Sequence, residues 1–177
     1  MSLMIQKWSR YRVLQEFFDC PRKPFLIREL SRNTKLAQTA VRLHLKALLS
    51  EGLIKKENDG LYPSFKAVRE DSSFKLLKAQ NLILRLNSTG VLSAMEKASY
   101  PDCVVLFGSA SRGEDTEKSD VDLFVQAKST GIDLSKFEAV LNRKINLLFE
   151  PKLKTISPEL LNNIVNGMVL YGYLKVV

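Results

Sequence analysis

Two short segments of this chain carry residues whose types and spacing suit phosphate chemistry. Cys103-Val104-Val105-Leu106-Phe107 is a continuous apolar run of the kind that forms a strand buried on both faces, and Gly108-Ser109-Ala110-Ser111-Arg112-Gly113 follows it directly. Glycine lets a backbone approach a ligand closely, and a helix starting there would aim unpaired N–H groups at an anion. Ser119-Asp120-Val121-Asp122-Leu123-Phe124-Val125 then begins a second strand. Side chains alternate along a strand, so Asp120 and Asp122 point the same way. Two carboxylates on one face, at the mouth of a phosphate-binding loop, can hold a divalent cation together with nucleotide phosphates. Singly, a Gly-Ser after a strand is a turn, and Asp-x-Asp is a turn or a cap. Their order in this chain is what gives them meaning.

Apolar strand, GSASRG, a short acidic connection and SDVDLFV together resemble the signature of the DNA polymerase β-like nucleotidyltransferase superfamily, most closely its minimal, single-domain branch, over about residues 88–177. The resemblance implies that Gly108 and Ser109 contact a nucleoside triphosphate, with Arg112 and Gly113 shaping the loop. It implies that Asp120 and Asp122 are catalytic and hold Mg²⁺ (or Mn²⁺) while an acceptor hydroxyl attacks the α-phosphorus and pyrophosphate leaves. ATP is the expected nucleotide. Glu114, Asp115 and Glu117 are expected to form a solvated loop. The family adds a third carboxylate from a later strand, and here that strand reads Arg143-Lys144-Ile145-Asn146-Leu147-Leu148-Phe149-Glu150, with Asn146 at the expected position. Glu150 shares a face with Asn146, but four strand residues set them about 13 Å apart, against about 3.5–4 Å between paired catalytic metals. Glu150 therefore does not replace the missing carboxylate. An amide ligates a metal without adding charge and is no general base, so Asn146 bears on turnover and not on nucleotide binding.

The elements around these segments fit a small α/β domain. Ser157-Pro158-Glu159 starts a helix through about Asn166, with Ser at the N-cap and Pro at N1. Gly167 ends it, and Met168–Val176 is expected as a terminal strand with Tyr171 and Tyr173 in the core. Upstream, Asp71-Ser72-Ser73 predicts a helix start, a helix to about Asn87, a break over Asn87-Ser88-Thr89-Gly90 and a second helix to about Ala98.

The first seventy residues follow another plan. Residues 4–18 have helical spacing (Ile5, Trp8, Val13, Leu14, Phe17, Phe18) and are stopped by Asp19-Cys20-Pro21. A second helix is expected from about Leu26 to Asn33 and a third from about Ala37 to Ser50, where Val41, Leu45, Leu48 and Leu49 make one buried face. Gln38, Thr39, Arg42 and Lys46 fall on the other side. Leu53–Lys56 and Leu61–Phe65 read as strands joined by Glu57-Asn58-Asp59-Gly60, whose Asp-Gly favours a tight hairpin. IRELSRNTKLAQTAVRLHLKALLSEGLIKK thus resembles the winged helix-turn-helix family, over about residues 4–68. Lys35 stands where its turn often has Gly, and Ala37 where Ser or Thr is common. The resemblance implies that the third helix enters the DNA major groove, with Gln38 and Thr39 near base edges and Arg42 and Lys46 reaching phosphates or bases. The same polar face on a protein-docking helix is the alternative. His44, the only histidine, has no catalytic companion beside it.

Composition agrees with this division. Residues 1–70 hold 14 Lys/Arg against 7 Asp/Glu, and residues 71–177 hold 13 against 12, within a total of +8. The basic excess of the first part suits a polyanionic partner. Two distant cysteines, Cys20 and Cys103, form no zinc signature and fit a reduced cytoplasmic compartment. No apolar run approaches the roughly 20 residues of a membrane span.

The expected architecture is α+β: an N-terminal winged helix-turn-helix (three helices plus a β-hairpin, residues 1–70), a helical connector (71–87) and a small α/β nucleotidyltransferase domain with a mixed sheet (88–177). Two functions follow. One is a Mg-dependent enzyme moving a nucleotidyl group from ATP to a protein or small molecule. By resemblance it would be an antitoxin acting on a HEPN-type toxin partner, its winged helix bound to DNA as a homodimer on paired half-sites. The other is a DNA-binding regulator whose second domain holds nucleotide or a partner without turnover.

Overall fold

The computed structural model describes residues 8–58 and 60–175, and the chain forms two compact units, Met1–Lys78 and Ala79–Val177. In the first, α1 (Ser9–Asp19), α2 (Ile27–Thr34) and α3 (Gln38–Ser50) precede β2 (Ile54–Glu57) and β3 (Ser64–Ala67). Residues 4–7 of the expected first helix lie outside the described residues; Trp8 is its N-cap and is 59% exposed, not part of a buried face. Val13, Phe17, Leu30, Val41, Leu45 and Leu48 build the core with Phe65 and Ala67 of β3. The helical period of Val41, Leu45 and Leu48 is therefore the period of burial.

The sheet departs from the expected hairpin. Glu57 pairs with Ser64, so residues 58–63 make the connection in place of the expected 57–60, and Asp59 lies outside the described residues. Leu61 and Tyr62, expected in a strand, are exposed in this connection. A strand of two residues, β1 (Phe25–Leu26), pairs with β3, giving the order β1-β3-β2.

The break expected at 87–90 is confined to Gly90. Helix α4 runs from Ser72 to Thr89, begun by Asp71, whose carboxylate accepts from Phe74 N at 2.8 Å. Phe74 enters the core of the first unit, while Leu82 and Leu86 enter that of the second.

In the second unit α5 (Val91–Ser99), β4 (Cys103–Phe107), α6 (Gly108–Ser111), β5 (Val121–Val125), α7 (Ser135–Leu141), β6 (Ile145–Phe149), a 3₁₀ turn (Leu153–Thr155), α8 (Pro158–Val165) and β7 (Met168–Gly172) follow in order. The sheet is mixed, β6-β5-β4-β7, with β5 and β6 parallel and the other pairs antiparallel. Period-two alternation sorts its residues. Val104, Leu106, Val121, Leu123 and Val125 pack with Leu82, Leu86, Met95 and Phe137. Cys103, Val105 and Phe124 face Leu153 and Ile164 on the other side. Ser157 caps α8 by accepting from Leu160 N, with Pro158 behind it.

Tyr171 and Tyr173 are not core residues. Strand β7 is one edge of the sheet; its Tyr171 is 36% exposed, and Tyr173, beyond the strand's end at Gly172, is 65% exposed. The Tyr171 hydroxyl donates to Glu96 at 3.2 Å, and the Glu96 charge, ahead of desolvation, holds the phenol above its usual range. Cys20 and Cys103 are both free thiols.

Candidate functional site

The site forms where β4 ends beside the start of β5. Register pairs Phe107 with Asp122, and Asp122 in turn with Asn146 on β6. Asp120 lies just before β5. The Asn146 side-chain amide donates to Asp120 Oδ2 at 3.2 Å and to Asp122 Oδ1 at 3.0 Å. One amide touching both carboxylates fixes them on a common face.

Gly108 stands against this pair. Its φ of 73° is left-handed, and a Cβ built there would lie 3.0 Å from Asp122 Oδ2. Glycine both permits the turn out of β4 and keeps the near side of Asp122 clear. Ser109 follows in α6, which is a single turn held by Ser111 Oγ donating to Gly108 O at 2.8 Å. Arg112 ends that turn and extends outward to Glu114 at 2.9 Å. Gly113 takes a second left-handed φ, 68°, and lets the chain leave the loop. Gly108, Asp120, Asp122 and Asn146 are thus brought together; Arg112 is engaged with Glu114.

Asp115 corrects the expectation of a solvated acidic loop. It is 4% exposed and accepts from Arg143 Nη1 at 2.7 Å. The same guanidinium donates from Nε to Ser119 O at 2.9 Å and from Nη2 to Asp120 O at 3.0 Å. Arg143 therefore ties the acidic connection to the backbone that carries Asp120. Its place two residues before β6 was visible in sequence, but its partner is 28 residues away and no local pattern joins them. Glu150 follows the far end of β6 and donates its N–H to Val125 O, away from the Asp122–Asn146 pair.

The donor set suits a divalent cation with part of its shell supplied elsewhere. Two carboxylates and an amide converge beside a glycine whose missing side chain leaves room, and turning the amide over presents its oxygen at the same place. Among the described residues no three His, Cys, Asp or Glu side chains gather into a metal cluster.

On α3, Gln38, Thr39, Arg42 and Lys46 are all exposed, opposite the buried Val41, Leu45 and Leu48. Leu43, 67% exposed, adds an apolar side chain there. His44 is half-buried; desolvation first, then the Arg10 charge, lowers its pKa below the usual histidine value. Lys35 takes the left-handed φ of 53° that ends α2, with Leu36 N returning to Ser31 O at 3.2 Å.

A family model described as Polymerase beta, Nucleotidyltransferase matches residues 91–173, and one described as Bacterial regulatory protein, arsR family matches residues 10–56. A search of the curated proteins finds no match. Among the described residues no helix is long and apolar enough to cross a membrane.

Proposed function

Because the chain is an N-terminal helix-turn-helix domain fused to a nucleotidyltransferase domain, we propose that it binds a Mg- or Mn-nucleotide, with ATP the expected one, and transfers its nucleotidyl group to a protein or small-molecule hydroxyl. The observation that carries this reading is the convergence of Asp120 and Asp122 on one amide beside Gly108. Asp120, Asp122 and Asn146 would hold the cation. Gly108 and Ser109 would border the triphosphate, with Gly113 shaping the loop behind them. When bound, the cation supplies charge neutralisation between phosphate oxygens and attacking hydroxyl. The chain's own part is to hold both carboxylates on one face and to keep Arg143 behind Asp120. A HEPN-type toxin is the protein acceptor that the family resemblance suggests.

The exposed basic and polar face of α3 supports DNA binding, with Gln38 and Thr39 toward bases and Arg42 and Lys46 toward phosphates. A homodimer on paired half-sites is the arrangement proposed for it.

Asn146 favours a second reading, a DNA-binding regulator that holds nucleotide without turnover. Its amide supplies neither the charge nor the basicity of a third carboxylate. Transfer of α-phosphate-labelled ATP, with Mg²⁺, to proteins in host extract separates the two. A labelled product that disappears with Asp120→Ala/Asp122→Ala is expected for the transferase. No label, with Mg-dependent ATP binding intact, selects the regulator.

A further inference from the structure

The first unit holds a groove of about 340 Å³ between the start of α2, the start of α3 and the connection from β2 to β3. Leu26, Ile27, Tyr62 and Pro63 give it apolar walls, and Arg28 and Arg42 line it from two different helices. Tyr62 is held beside Arg28, whose guanidinium carbon lies 6.0 Å from the ring centroid. Neither arginine has a carboxylate partner among the described residues.

We propose that this groove binds a small organic anion, a flat apolar body bearing one carboxylate, and that its occupancy excludes DNA. The volume lies at the lower end of the roughly 300–1,000 Å³ of ligand pockets. Apolar walls call for an apolar body, because burying a polar group against Leu26, Ile27 and Pro63 leaves that group without hydrogen bonds. Two guanidiniums with no carboxylate partner among the described residues call for an anion, and a carboxylate meets a planar guanidinium fork bidentately. A DNA phosphate would satisfy the arginines but leave the apolar walls against a polar backbone. Arg42 and Gln38 belong both to this groove and to the face of α3 assigned to DNA, so the two ligands compete for the same side chains. The competition rests on the DNA-binding reading proposed above; binding of the anion does not.

The test is calorimetric titration of the full chain with three probes: 2-naphthoate, the neutral 2-naphthamide and acetate. Naphthoate is expected to bind one to one, the amide at least about tenfold more weakly for want of charge-assisted hydrogen bonds, and acetate without measurable heat. Arg28→Gln and Tyr62→Ser should each weaken naphthoate severalfold at unchanged melting temperature, since both side chains are exposed. Naphthoate should also release labelled DNA in fluorescence anisotropy. Equal binding of naphthoate and naphthamide, absence of naphthoate binding, or wild-type affinity in Arg28→Gln overturns the site. Protein that binds no DNA before any probe is added overturns the DNA reading and the competition with it, while the naphthoate titration still decides the groove.

Discussion

Arg143 donates to the buried Asp115 carboxylate at 2.7 Å, and the two residues are 28 positions apart. Their side chains are 13% and 4% exposed, so removing either leaves the other with a charge largely shut off from water. Breaking a buried pair from one side costs about 3–5 kcal/mol. Arg143→Ala should lie toward the upper end, because Asp115 is the more buried partner and the carbonyls of Ser119 and Asp120 lose their donors too. Asp115→Ala should cost less, and the double variant less than the sum. Denaturant midpoints of the four proteins measure this cycle; strict additivity would mean that the pair does not act as one.

The core of the fold was legible because it is periodic. Val41, Leu45 and Leu48 announce a helix face, and Cys103–Phe107 a strand buried on both sides. Asp120 and Asp122 were legible as neighbours on one face through the period of two, and Asn146 follows by register. What escaped was long-range or too short to have a period. Strand β1 has two residues, and Leu61 and Tyr62 are apolar enough to read as strand although they are exposed. Tyr171 looked like core because strand order, which makes β7 an edge, has no signature within the strand itself, and Tyr173 because the strand expected to reach Val176 ends at Gly172. Asp115 looked solvated among Glu114 and Glu117 because only the folded chain brings Arg143 to it.

Asn146→Asp should make stability depend on metal. The wild-type amide donates to both Asp120 and Asp122; a carboxylate there donates to neither and adds a third negative charge. Without divalent cation the variant should melt below the wild type. With Mn²⁺ it should bind more tightly and recover, since ligand binding to the folded state alone raises stability. Melting curves with and without Mn²⁺ check this, and a variant whose midpoint Mn²⁺ leaves unmoved would remove these residues from any metal site.

Lys35→Gly should stabilise the first unit. Lys35 holds φ at 53°, a conformation that disfavours L-residues by about 1–2 kcal/mol. Glycine removes that strain but adds freedom to the unfolded chain, which returns part of the gain. The net increase in unfolding free energy should be about 0.5–1 kcal/mol. Chemical denaturation measures it; a loss would show that the Lys35 side chain contributes more than its backbone strain.

His44 should titrate below 6.5, the ordinary histidine value. Desolvation is the larger cause and the positive charge of Arg10 the smaller, so Arg10→Gln should bring the midpoint only part of the way back. The sign of the linkage follows. Between the folded midpoint and the unfolded value the unfolded chain binds more protons, so stability rises with pH across that window and falls as the solution is acidified through it. As the only histidine, its ring resonances in a proton NMR titration are unambiguous. Stability of His44→Gln should lose this slope.

Arg42 and Lys46 stand on the exposed face of α3, one turn apart. If each neutralises one phosphate, each releases its condensed counterion on binding, and the logarithm of affinity falls with the logarithm of salt by about 0.9 per contact. Lys46→Ala should therefore weaken all DNA sequences alike and lower the slope by about 1. Gln38→Ala should leave the slope unchanged and act mainly on one base position, by about 1–3 kcal/mol of discrimination. Anisotropy titrations at several salt concentrations separate the two behaviours. Equal slopes for wild type and Lys46→Ala would move the phosphate contact elsewhere on this unit. A complete loss of salt dependence in the wild type would leave its basic excess without a polyanionic partner.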